Sequence, residues 1–313
     1  VPRIAFINKM DKLGADYDYS FKTIHERLGA NAIALQIPIG SGDKFEGIID
    51  LLKMKAFYFS AAELGKIVEE RDIPDDLAET AELYRHDMVE KAAELDDNLT
   101  EKYIEDESSI TAGEIMAAVR KGTLNRECCA VFCGSALKYI GVQRLIDAVI
   151  DYLPNPTQVP EIQGTAVNDK TEVLTRPHDP EAPFAALVFK VVSDAHGDLT
   201  YCRIYSGTIE KGTRVLNSNN GKREIISRIY EMHAKERIAR DQAYAGEIVA
   251  MVGLKNSTTG DTLCDSDDPI ILERMDFPDP VICMSIEPAS NADKDKLANA
   301  LTTIRREDPS FRS

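Results

Sequence analysis

Val1-Pro2-Arg3-Ile4-Ala5-Phe6-Ile7-Asn8-Lys9-Met10-Asp11 decides the fold class. Arg3 to Asn8 reads as a strand buried on both faces, because it is a short continuous apolar run closed by a polar turn. Asp16 to Leu28 follows as a helix closed by Gly29, a residue that accepts the left-handed backbone at a helix end. Ala32 to Ile39 is the next apolar strand. Short alternation of strand, helix and strand predicts a parallel α/β sheet. Val1 enters the first strand with no charged, apolar or cleavage-site pattern of a leader, so the chain is expected to open inside a domain.

Beyond Gly40 the alternation breaks. Residues from about 40 to 123 read as an insertion of mixed α+β character, with strand-like Phe45 to Leu52 and Lys55 to Phe59 and then helix. Leu77, Ala81, Tyr84, Met88, Ala92 and Leu95 recur at steps of three and four, which puts one apolar stripe on a helix whose other faces are acidic. The sheet pattern resumes at Cys128 to Phe132. Val142 to Leu153 closes the α/β domain as an amphipathic helix with a stripe of Val142, Leu145, Ile146, Val149 and Ile150. Pro154, Pro156 and Pro160 cannot continue a helix and mark 154–182 as a linker.

From 183 to 277 the runs Phe184–Val192, Leu199–Tyr205, Thr213–Leu216, Lys222–Tyr230 and Glu247–Val252 alternate with glycine-containing turns and predict an all-β barrel. After Pro278 and Pro280 come a strand, Val281 to Glu287, and a helix carrying Leu297, Ala300, Leu301 and Ile304. One strand and one helix have nothing to pack against, so 278–313 is expected to be the truncated start of a third, α+β domain.

A length of 313 residues suits two or three cores. No run approaches the roughly 18 apolar residues of a membrane span, so no membrane partner is expected. The six cysteines form no paired CxxC units and read as reduced cytosolic thiols, with Cys128, Cys129 and Cys133 as buried strand residues and no metal. Net charge is −16, which disfavours nucleic acid if it is evenly spread. It is not. Residues 61–111 hold 17 acidic against 5 basic residues, whereas 200–240 hold 9 basic against 4 acidic.

Asn8-Lys9-Met10-Asp11 follows a buried strand, the place where open α/β sheets bind ligands. The residue types suit guanine. Asp11 can accept from both the ring N–H and the exocyclic amine, a donor pair that adenine lacks, and Asn8 can meet the acceptor edge. Lys9 can lay its apolar stem over the base. Gly134-Ser135-Ala136-Leu137 follows the resumed strand, where the N–H of Ala136 can donate to the base carbonyl. Two such motifs at neighbouring strand ends point to guanine far more strongly than either does alone. Phosphates are normally held by a GxxxxGK[ST] loop and its Mg²⁺, and no such loop occurs in the sequence.

These motifs, with Gln36-Ile37-Pro38-Ile39-Gly40, Phe45-Glu46-Gly47-Ile48-Ile49-Asp50, Asp151-Tyr152-Leu153-Pro154, Arg203-Ile204-Tyr205-Ser206-Gly207-Thr208, Thr259-Gly260-Asp261-Thr262-Leu263 and Ser285-Ile286-Glu287-Pro288, resemble bacterial-type elongation factor G over nearly the whole chain. The resemblance implies an incomplete P-loop GTPase sheet (1–153), its inserted subdomain, the translation-factor barrel and a ferredoxin-like start. It implies a ribosomal translocase that uses GTP, with Asn8, Lys9 and Asp11 reading the base and Ser135, Ala136 and Leu137 closing over it. Mg²⁺ would belong only to a full-length parent. It also implies a cytoplasmic ribosome partner, with the acidic insertion near the stalk protein and the barrel on ribosomal RNA. Without the phosphate loop or switch segments, this chain is expected not to hydrolyse GTP alone. The turn Ser193–Asp198 departs from the resemblance by being slightly short. A sibling ribosomal GTPase, such as a ribosome-protection or release factor, and a non-catalytic ribosome-binding module remain alternatives.

Overall fold

Strand β1 (Ile4–Ile7) opens the first of two units, Val1–Asn155 and Pro156–Ser313, in the computed structural model. The structure describes residues 1–60, 63, 65–169, 171–194, 197–234, 236–272, 282–288, 290–308 and 310–312. Helix α1 (Tyr17–Leu28) follows β1. The Asp16 side chain accepts from Tyr19 N, and Gly29 closes the helix at φ 61°. Such an N-cap contributes about 1 kcal/mol.

The run Ala32–Ile39, expected as one strand, is two. β2 (Ala32–Ala34) lies in a parallel sheet of order β1-β7-β2, and β3 (Gln36–Ile39) lies in an antiparallel sheet of order β3-β4-β5-β6. Leu35 makes the transfer, donating its N–H to Val131 O at 3.0 Å while its C=O accepts from Leu51 N at 3.1 Å. Residues buried in both sheets leave no break in hydrophobicity, so the switch is invisible in the run. The antiparallel sheet continues through β4 (Gly47–Asp50), β5 (Lys55–Phe59) and β6 (Val68–Arg71). The β6 residues are all exposed, and a polar edge strand carries no apolar alternation to read.

Three helices complete the insertion: α2 (Asp75–Ala93), α3 (Asp97–Asp106) and α4 (Ala112–Asn125). On α2 the expected stripe is core: Ala81, Met88 and Ala92 are buried, and Leu77 and Tyr84 pack against the same cluster. Thr111 and Glu114 form a capping box at the start of α4. β7 (Cys129–Cys133) then returns between β1 and β2, pairing Ile7 with Cys133 and Ala34 with Val131, and all five of its residues are buried.

Helix α5 (Val142–Tyr152) corrects the expected stripe. Its inner face runs Gly141, Leu145, Ala148, Tyr152, whereas Ile146, Val149 and Ile150 are 59, 47 and 73% exposed. The helix carries two apolar faces, and the small and aromatic residues fit against the sheet, with the Tyr152 ring 6.0 Å from that of Phe132.

In the second unit, a hairpin of β8 (Ile162–Thr165) and β9 (Val173–Arg176) occupies part of the segment read as linker. The prolines hid two short strands. The barrel strands are β10 (Ala185–Asp194), β11 (Gly197–Ser206), β12 (Thr208–Glu210), β13 (Arg214–Asn217), β14 (Lys222–Ile225), β15 (Arg228–His233), β16 (Glu236–Arg240), β17 (Gln242–Tyr244), β18 (Ile248–Val252) and β19 (Thr262–Cys264). Eight of them form one antiparallel sheet, β14-β13-β19-β10-β11-β18-β15-β16, and β12 pairs with β17. β20 (Ile271–Leu272) joins β8 and β9. Thr200, Cys202, Ile204 and Ser206 alternate inward along β11. A register shift between Val188 and Lys190 on β10 lets Val188 and Val191 both reach the core.

Glu224, 5% exposed, ties strand β14 to the loop that follows β18. It accepts from Asn256 N at 2.7 Å, Asn256 Nδ2 at 3.2 Å and Ser257 Oγ at 2.5 Å. Helix α6 (Lys294–Glu307) meets the β10–β11 hairpin where Ser193 N donates to Glu307 Oε1 at 2.6 Å and Arg306 pairs with Asp198. The strand expected over 281–287 is not formed: residues 282–288 are unpaired and mostly exposed, and Val281 lies outside the described residues. A strand without a neighbour leaves its backbone groups to water. His196, in the short turn, also lies outside the described residues.

Candidate functional site

The loop after β1 and the loop after β7 meet because the two strands are parallel neighbours in register at Ile7 and Cys133. Parallel pairing puts both C-terminal ends on one rim. All six residues singled out in the sequence lie on these two loops, and two hydrogen bonds that use side chains join the loops. Ser135 Oγ donates to Asp11 Oδ1 at 2.7 Å. Ala136 N donates to Asn8 Oδ1 at 3.0 Å, and Asn8 Oδ1 also accepts from Lys9 N at 2.7 Å. Lys9 and Leu137 are exposed side chains, Leu137 at 74%; among the described contacts neither side chain bonds the other loop.

Asp11 is 7% exposed and Ser135 fully buried. The Ser135 hydroxyl beside Asp11 holds its carboxyl below the ordinary aspartate value, helped by its own backbone N–H and by Lys12 and Lys138, and this outweighs the opposing effect of burial. The carboxylate is therefore ionised at neutral pH. Among the described residues, Oδ1 holds the hydrogen bond from another residue's side chain, and Oδ2 has Lys12 Nζ at 3.9 Å, too far for a hydrogen bond. An ionised carboxylate accepts about four hydrogen bonds, so Asp11 keeps acceptor capacity for a ligand with two adjacent donors. That is what the N1–H and amino edge of guanine offers, and the residues fit the base.

The Ser135 loop is held in shape by its own closure, Ser135 N to Ile140 O at 2.9 Å and Ile140 N to Ser135 O at 3.0 Å. Lys9 adopts φ 65°, uncommon for a non-glycine residue. Met10, passed over in the sequence as the variable letter of its motif, is 1% exposed and donates its N–H to Gly134 O at 3.1 Å. A depression of about 280 Å³ adjoins the first loop, lined among others by Asn8, Lys9, Lys12, Asp16 and Tyr19. It lies on the α1 side of Lys9, beside the two-loop cluster and not between its loops.

Cys128, Cys129, Cys133, Cys202 and Cys264 are buried free thiols and Cys283 is exposed. Burial pushes the five buried thiols up, so they stay protonated. Among the described residues no helix is long and apolar enough to cross a membrane.

Residues 1–155 match the GTP-binding domain of elongation factor Tu, 197–264 match elongation factor Tu domain 2, and 277–313 match elongation factor G domain III. A protein of Thermus thermophilus with a known crystal structure superposes over 100% of this chain with a TM-score of 0.78 and 25% sequence identity. The matched region is 44% of that protein's length.

Proposed function

This chain belongs to the translational GTPase family of elongation factors Tu and G, and from that membership we propose that it is the guanine-reading and ribosome-facing part of a translocating factor of the G type. The observation that carries the reading is the double link between the loops, Asn8 to Ala136 and Asp11 to Ser135. The first places an amide and a backbone N–H together, and the second fixes an ionised carboxylate that keeps acceptor capacity.

In this reading Asp11 accepts from the ring N–H and amine of guanine, Ala136 N–H turns to the base carbonyl and Asn8 meets the acceptor edge. The stem of Lys9 and the side chain of Leu137 cover the two faces. The nucleotide itself supplies the phosphoanhydride whose cleavage drives the factor. The work of these six residues is confined to selecting and holding the base. The sequence has no GxxxxGK[ST] loop, so phosphates and Mg²⁺ would be held by residues other than these, and the chain alone is proposed not to hydrolyse GTP.

The match to domain III of elongation factor G supports the G type over the Tu type. The acid-rich insertion suits a basic protein partner, proposed to be the ribosomal stalk, and the basic stretch of the barrel suits ribosomal RNA. Part of that positive charge is neutralised in place, Lys211 by Asp241 and Arg240 by Glu231 and Glu247, which leaves Arg214, Lys222, Arg223 and Arg228, all exposed, among the candidates for phosphate contacts.

Calorimetric titration with GDP, GTP and ATP tests the base site. Guanine-selective binding that disappears in Asp11→Asn is the expected result. Equal heats for ATP and GDP, or an unchanged Asp11→Asn variant, would remove the reading.

A further inference from the structure

Two hydrogen bonds hold the main chain of Met10 from opposite sides. Its N–H donates to Gly134 O at 3.1 Å, and its C=O accepts from Gly42 N at 2.8 Å. Gly42 belongs to neither base motif. It opens the short 3₁₀ turn Gly42–Lys44, where the insertion's sheet turns back after β3.

That turn is built for close approach. Gly40 and Gly42 have φ of 76° and 60°, and a Cβ on Gly40 would lie 2.1 Å from Lys44 O, so position 40 requires glycine. Position 42 rests against the base loop itself, a Cβ there lying 3.5 Å from Lys12 O and 3.9 Å from the Leu13 Cα. Inside, the buried side chain of Met10 shares one core with Ile39 and Phe45, which flank the turn.

Lys9 and Asp11 flank the peptide that these bonds clamp. Backbone in a sparsely populated region, as at Lys9, persists only where its surroundings over-determine it. The direction in which both base-reading side chains leave the chain is thus set by Met10, and Met10 is set from one side by Gly134 and from the other by Gly42.

We propose that the Gly40–Lys44 turn is a third segment of the guanine site. Gly42 acts there as a positioning residue that couples the insertion to nucleotide binding. The proposal rests on the guanine reading above. Coupling of this kind is reciprocal: whatever the Gly42–Met10 bond adds to base affinity, the bound base adds to the persistence of that bond.

The test is amide hydrogen exchange at Gly42 in the full-length, unsubstituted protein, with GDP and with ADP. GDP is expected to slow exchange about tenfold, the worth of one net hydrogen bond, and ADP is expected to leave it unchanged. A Gly42 rate indifferent to bound GDP overturns the proposal. Gly42→Pro removes the donor, and its GDP affinity is expected to fall about tenfold on the same basis. Gly29→Pro is its control: Gly29 has nearly the same φ, 61°, which proline cannot adopt, and its N–H also donates, to His25 O at 3.0 Å, so this variant suffers the same two losses away from the site and its affinity should stay within about twofold. Equal loss in both variants would mean general destabilisation and overturn the positioning role. Should Gly42→Pro not fold, the exchange measurement still decides. A wild-type protein that does not distinguish GDP from ADP would take down the guanine reading and this inference together, whereas discrimination with an unresponsive Gly42 sinks the inference alone.

Discussion

Asp11 in the first unit and Glu224 in the second are both buried carboxylates that hold a serine hydroxyl from a distant turn. They differ in what is left over. Both oxygens of Glu224 are engaged, by two donors of Asn256 and by Ser257. Asp11 has one oxygen on Ser135, and among the described residues no other side chain lies within hydrogen-bond distance of the second oxygen; Asn8, Lys9, Ala136 and Leu137 on the same two loops are exposed. A buried carboxylate is therefore not in itself the mark of a ligand site. Asp11 differs by spare acceptor capacity beside exposed residues, whereas the closed arrangement in the barrel is a structural link between strand β14 and the turn 255–261.

The two carboxylates should part most widely when Asp11 is changed. Asp11→Asn replaces an acceptor pair by one acceptor and one donor, and a site that loses its match to polar groups typically discriminates by about 10⁴-fold or more; a loss of at least about 100-fold in GDP affinity is expected here. Glu224→Ala should do the reverse. Stranding the buried Ser257 hydroxyl, while the exposed Asn256 donors can turn to water, costs about 1–3 kcal/mol, read as a lower denaturation midpoint of the second unit with nucleotide affinity unaltered. If Glu224→Ala weakened GDP binding while Asp11→Asn did not, the assignment of roles would be inverted.

Ser135→Ala separates them further through pH. A carboxyl held below its ordinary value adds stability that is fully present above the unfolded value of about 3.9 and is lost as pH falls through the folded one. Ser135 is the leading cause of the depression, and burial alone acts in the opposite direction. In the variant, loss of GDP binding should therefore begin at a higher pH than in the wild type, with about tenfold weaker binding at pH 7 from the missing hydrogen bond. Superimposable pH profiles would show that Ser135 does not set the charge of Asp11. The smallest effect belongs to Lys12→Ala. Lys12 is 59% exposed and 3.9 Å from Asp11, and such a screened pair is worth at most about 0.5 kcal/mol, about a twofold change in affinity that added salt should erase.

The meeting of the loops Asn8–Asp11 and Gly134–Leu137 was legible because each follows a continuous apolar run whose end must be polar, and the parallel order of those runs brings the two polar ends together. Helix α1 was legible from Asp16 and Gly29, whose capping chemistry is local. The transfer at Leu35 was not, because a residue buried in either sheet looks the same in sequence. β6 was missed for the opposite reason: Val68-Glu69-Glu70-Arg71 is an exposed edge with nothing apolar to alternate. On α5 periodicity found a stripe but not which stripe packs, since Ile146, Val149 and Ile150 are as periodic as Leu145, Ala148 and Tyr152. The hold of Gly42 on Met10 is a backbone contact between residues 32 apart, which leaves no pattern in side-chain type. The only trace is the pair of glycines around Ser41.

Because β2 and β7 are parallel neighbours, everything between Leu35 and Cys128 is, in topological terms, the crossover that carries the chain from one end of the sheet back to the other. A tight turn cannot replace it, since parallel strands need a connection of a dozen or more residues, usually with a helix. α2 packs near β2 and α4 beside β7, so these helices are the return route of the sheet that carries the proposed base site as well as the acidic surface. The insertion can be altered residue by residue on its outer face, but a clean excision would disconnect the strand that delivers Ser135.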